Sequence, residues 1–79
     1  MSWRAMGANK ASFKNWIVNE GKLNEQLLIL LQTISGKWVV EVHEAIGGGK
    51  GKTLFSKQFL TKSFAEAYAK NWMRKHPNG

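Results

Sequence analysis

The chain predicts an α+β domain: an antiparallel β-meander of about four strands with one C-terminal α-helix packed on one face. Three observations carry that expectation. Residues 37 to 45, KWVVEVHEA, alternate in character with a period of two, the pattern of a strand with two unlike faces. Residues 61 to 77 hold an apolar stripe at helical spacing. Short Gly-containing turns separate the apolar runs between them, which suits hairpins rather than crossovers.

Residues 1 to 11 show no periodicity and contain Arg4 and Lys10 but no acid. They predict a flexible basic arm ahead of a single domain over 12–79. Trp3 is unusual in such an arm, since a large aromatic either folds back on the core or meets a partner. Residues 12 to 18, SFKNWIV, are rich in aromatic and β-branched residues and predict the first strand. Residues 19 to 25 form a turn cluster.

Residues 26 to 35, QLLILLQTIS, admit two readings. A helix over 24–34 would use Asn24 as cap, Leu23, Leu27, Leu30, Leu31 and Ile34 as its apolar side, and Gly36 as stop. A strand would end at the hairpin signal Ser35-Gly36. The strand is preferred because the turn is short and the next strand is strong. Leu27 to Leu31 would then be apolar on both faces. One helix can cover only one face, so a twin subunit or a protein partner would cover the other.

In 37 to 45, Trp38, Val40 and Val42 share one face; Lys37, Val39, Glu41 and His43 share the other. The first face predicts core, the second a partly wet surface. Residues 46 to 52, IGGGKGK, form a glycine-rich hairpin loop, and 53 to 60, TLFSKQFL, the returning strand. The closing helix has Thr61 or Ser63 as cap, with Ser63 and Glu66 in capping-box spacing. Phe64, Ala65, Tyr68, Ala69, Trp72 and Met73 form its stripe, and Pro77 its end.

The loop imitates a nucleotide-binding motif without meeting it. Gly51-Lys52-Thr53 supply the G-K-T end, but the first glycine would have to stand at position 46, which is Ile46. The segment that follows predicts a strand, whereas a phosphate loop opens a helix. His43 with Glu41 and Glu44 is the one acid–base cluster, without a nucleophile or third ligand beside it; a solvated strand face is the simpler account. No enzyme, no cofactor and no metal site are therefore expected.

Charge points elsewhere. Twelve Lys and Arg against five acids leave a net charge of +7, which favours polyanionic partners, nucleic acid first. The expected site is Lys37, Lys50, Lys52 and Lys57, with Gly48 and Gly49 allowing the loop backbone to approach phosphates. A homodimer or protein-interaction module is the alternative. No apolar run reaches the ~18 residues of a membrane span, so no membrane partner is expected. The absence of cysteine fits a reducing, cytoplasmic setting.

A resemblance sharpens the expectation. Gly36, Trp38, Phe59, Thr61, Lys62 and Ala65 fall in the layout of the arm-type DNA-binding domain of phage integrases and the related ethylene-response-type domain. Residues 36 to 73 resemble it: a G-x-W strand, a turn, a strand ending F-x-T-K, then a helix with an early alanine. The resemblance implies a sheet lying in the DNA major groove with its helix behind. The strands of that family usually carry several arginines, whereas here the best strand carries Glu41 and Glu44.

Overall fold

The structure, a computed structural model, describes residues 3–7, 13–45 and 51–79. Five strands lie in sequence order in one antiparallel sheet: β1 Arg4–Met6, β2 Lys14–Val18, β3 Gln26–Gln32, β4 Trp38–Glu44 and β5 Thr53–Phe59. One helix, α1 Lys62–Lys75, follows and packs on β3, β4 and β5. The predicted class is observed, with five strands rather than about four, and the helix falls within the expected 61–77.

Residues 26–32 are strand, paired along their whole length with β4 from Gln26↔Glu44 to Gln32↔Trp38. Leucine's helix propensity is a weak preference that pairing and burial override. The β3–β4 turn closes with Gly36 at φ +91, a conformation only glycine adopts without strain. Its amide donates to the Thr33 carbonyl and Thr33 N–H donates to the Lys37 carbonyl.

The first correction is at the N-terminus. The sequence reading puts residues 1 to 11 in an arm, but Arg4–Met6 forms an edge strand in register with β2, Arg4 opposite Ile17 and Met6 opposite Asn15. A three-residue strand has too little alternation to be read; only its partner defines it. Trp3, just before it, packs against the core and donates its indole N–H to the His76 carbonyl at 2.7 Å. Asn19, held at φ 57, donates its amide to the Asn78 carbonyl at 2.9 Å. Two early segments thus grip the C-terminal tail.

The core is Leu28, Leu30, Val40, Val42, Ala65 and Ala69, all fully buried. Two alanines on the helix bring its axis close to the sheet. Rings fill the layer between β5 and α1: Phe55 stacks on Trp72 at 4.8 Å and on Tyr68 at 5.6 Å, and Phe59 tilts against Tyr68 at 5.1 Å. Such ring pairs add roughly 0.5–1.5 kcal/mol beyond their area. Val40, Val42, Ala65 and Ala69 are core as expected, and Trp38, Tyr68, Trp72 and Met73 pack partly buried against them; Val39 and His43, expected on a partly wet face, are buried too. Phe64 belongs to the apolar stripe by spacing yet is 72% exposed, because it lies in the first turn, beyond the end of the sheet.

Thr61 caps α1, accepting from the Phe64 amide at 3.3 Å. The Ser63–Glu66 capping box is not formed; Glu66 is turned to Lys14 instead. At the other end the His76 amide donates to the Trp72 carbonyl, and Pro77 bars a further turn. Among the described residues, no helix is long and apolar enough to cross a membrane.

Candidate functional site

The two sheet faces divide the side chains by chemistry. Strand alternation and register put Trp16, Leu28, Leu30, Trp38, Val40, Val42, Phe55, Lys57 and Phe59 on the helix side. Arg4, Met6, Asn15, Ile17, Leu27, Ile29, Leu31, Val39, Glu41, His43, Ser56 and Gln58 lie on the other. Within the strands that second face has one Arg or Lys, Arg4, and it is ion-paired with Glu20.

Gly48, Gly49 and Lys50 lie outside the described residues. The three described site lysines do not converge. Lys37 and Lys52 are exposed at opposite ends of the β4–β5 hairpin, a strand length of about 20 Å apart. Lys57 stands between them on β5, the edge strand of the sheet. Its ammonium lies over two rings, 5.0 Å from the Tyr68 centroid and 5.8 Å from that of Phe59. This keeps its stem packed and its charge outward. Sequence order gave no view of Tyr68 beside Lys57.

A second lysine–aromatic group was missed for the same reason. Phe13, 40% exposed, meets Trp38 edge-on at 5.5 Å. Lys62 stands over the Phe13 ring at 4.0 Å and Lys14 at 5.8 Å. These residues come from the start of β2, the start of β4 and the first position of α1. No local pattern links them. Lys14 also pairs with Glu66. The hydrogen bond from Lys14 holds the Glu66 carboxyl below its ordinary value; burial opposes this, and the charges of Lys14, Lys70 and Lys62 add to it.

The Glu41–His43 cluster departs from its expected solvated setting. His43 is 2% exposed. Its Nε2 lies 2.8 Å from Glu41 Oε1, and its Nδ1 lies 3.1 Å from Thr53 Oγ1. Thr53 faces His43 next to the register shift of the β4–β5 ladder, so the imidazole bridges both strands where the backbone is irregular. Alternation alone reports which side a residue faces, not how deeply its neighbours cover it. The carboxylate–imidazole–hydroxyl line borders neither described cleft, and no group of three or more metal-capable side chains occurs among the described residues. It ties β4 to β5 at the hairpin base.

Gly51 has a specific duty at that base. Its amide donates to the Glu44 carbonyl at 2.7 Å, and a Cβ there would sit 2.9 Å from that same oxygen. The last glycine of the loop is thus a close-approach residue.

Among the described residues, one cleft lies between Leu23, Asn24, Glu25, Gln26, Glu44 and Leu54 and has two carboxylates in its wall. The other, about 430 Å³, is lined by Trp3, Trp16, Met73, Arg74 and Pro77. It lies between Trp16 of β2, Trp3 and the C-terminal end of α1. No family model, no curated protein and no solved structure matches this chain.

Proposed function

We propose that the protein binds nucleic acid, mainly through phosphate contacts from Lys37, Lys50, Lys52 and Lys57 joined by cations on the exposed side of α1. The observation that carries the reading is how the charges are partnered. Among the described acids, Glu20 pairs with Arg4 at the surface and Glu66 with Lys14; Glu41 contacts His43. Glu25 is buried and accepts from the Gly21 amide. Four of the five acids therefore have partners within the chain. Lys37, Lys52, Lys57, Lys70, Arg74 and Lys75 are all exposed, and none is in an ion pair among the described residues. Lys52 and Lys57 lie at the β5 edge and Lys70, Arg74 and Lys75 on α1, with Lys37 apart at the β3–β4 turn; few anions are set among them. Gly48 and Gly49 fit the reading as residues that let backbone approach a phosphate.

The face opposite the helix is a poor candidate for reading a DNA groove, although the arm-type resemblance would use it. Its strands offer Glu41, His43 and aliphatic side chains, so contact through the β5 edge and the helix side is the better supported docking. Contacts of that kind position a backbone and carry little sequence preference. The cysteine-free composition supports a cytoplasmic setting.

A salt titration of oligonucleotide binding tests this. Four or five duplex phosphate contacts give a log–log slope of about −3 to −5. Lys52→Ala with Lys57→Ala should flatten it by about 2. Absence of binding at low salt would make the charge a solubility device.

A second reading rests on the apolar members of the bare face. Ile17 and Val39 are buried, and Leu27, Ile29 and Leu31 are partly so, on the face opposite α1. A homodimer or protein partner would cover them. Sedimentation decides it: a monomer at high concentration removes the homodimer.

A further inference from the structure

The cleft at the C-terminal end of α1 is not used by the lysine contacts described so far. Its described walls are two indoles, a thioether and a proline ring, and Arg74 is the charged residue among its described lining. Trp16 reaches it from the middle of β2. Trp3 is fixed as the facing wall by the hydrogen bond from its Nε1 to the His76 carbonyl. Arg74 is exposed and donates to Asn71 Oδ1 at 3.1 Å, with no carboxylate beside it. Lys70 and Lys75 are exposed on the same end of the helix.

We propose that this cleft takes one unstacked nucleobase, with Arg74 on the adjoining phosphate, so that the preferred ligand is single-stranded nucleic acid. The inference rests on the nucleic-acid reading and narrows it. The volume of about 430 Å³ lies within the range of small-ligand sites, ~300–1,000 Å³. Flat apolar walls with a cation at the rim match a planar π-system carrying an anion. An aliphatic ligand would leave Arg74 unused, and an acidic peptide would leave the indoles unused. A duplex keeps its bases in the stack and cannot enter. Tryptophan accepts any base face, so the site adds affinity without sequence preference.

The test compares three probes at low salt: an eight-nucleotide thymidine strand, a base-free deoxyribose-phosphate strand of the same length, and a duplex of that length. The thymidine strand should bind the full chain about fivefold to a hundredfold more tightly than the base-free strand, the usual worth of one stacked base. Trp3→Leu should erase that difference while leaving duplex binding unchanged. Arg74→Ala, at an exposed position, should weaken both single strands. In the unaltered protein the indole N–H signals of Trp3 and Trp16 should move only with the base-bearing strand, which keeps the test valid if Trp3→Leu fails to fold. Equal binding of the two single strands, still indoles, or an Arg74→Ala variant that binds normally would overturn the base site and leave phosphate binding standing. No binding by any probe would overturn both.

Discussion

The two faces of the sheet are built from the same strands and have opposite chemistry. On the helix side, aromatic rings sit under lysines: Lys57 over Tyr68 and Phe59, and at the sheet's end Lys62 over Phe13. On the opposite face, aliphatic side chains surround one buried imidazole, Arg4 is ion-paired with Glu20, and the Glu41 carboxylate lies within hydrogen-bond distance of His43 Nε2. The comparison teaches that the +7 charge is not spread evenly. Arg4, the strand cation of the face opposite the helix, is paired with Glu20, whereas Lys57, Lys70, Arg74 and Lys75 on β5 and α1 are exposed and in no ion pair among the described residues.

If that division is right, the faces should respond differently to the same substitution. Trp72→Ala on the helix side should cost about 3–5 kcal/mol, since it removes a ring stacked on Phe55 and His76. Ile29→Ala on the bare side is only partly buried and should cost less than about 2 kcal/mol in the monomer. Chemical denaturation measures both. A cost for Ile29→Ala equal to that for Trp72→Ala, growing with protein concentration, would mean the bare face is covered by a second copy.

Gly51→Ala sharpens the comparison at the hairpin base that both faces share. The added Cβ must displace the Glu44 carbonyl, so a loss of about 1–3 kcal/mol is expected. An unchanged melting temperature would show that the backbone at Gly51 gives way freely.

The smallest effect belongs to the Lys14–Glu66 pair on the helix side. Its carboxyl titrates below the ordinary value of 4.5. The pair therefore contributes stability above the unfolded-state value, and that contribution disappears as pH falls through the lowered folded value. Glu66→Gln should melt slightly lower than the parent at neutral pH and converge with it in acid. A gap that persists or widens in acid would contradict the pairing. Exposed pairs of this kind contribute little.

How much of this could be read beforehand follows from the range of each interaction. β4 alternates visibly, and α1 has a stripe, a cap and a proline stop within one window, so both were legible. Residues 26–32 were ambiguous because Leu and Ile runs suit either element, and only pairing with β4 decides. Arg4–Met6 was missed because β1 exists through its register with β2. Lys57 was legible as a lysine between phenylalanines. The Phe13–Lys62 contact and the Trp3–Trp16–Arg74 cleft were not, because they join residues far apart in the chain. His43 alternates like a surface residue, and its burial arises from neighbours on either side of β4. The Lys37 and Lys52 candidates were correctly exposed but stand at opposite ends of one hairpin, which a list of basic residues does not reveal.

The central claim is that nucleic acid meets the helix side and the β5 edge, never the bare face. Amide chemical-shift mapping with a short oligonucleotide at low salt tests it most directly. The account predicts shifts at Lys52, Lys57, Arg74 and Lys75, with Ile29, Val39, Glu41 and His43 unmoved. Shifts concentrated at Ile29, Glu41, His43 and Ser56, with the helix side still, would contradict it.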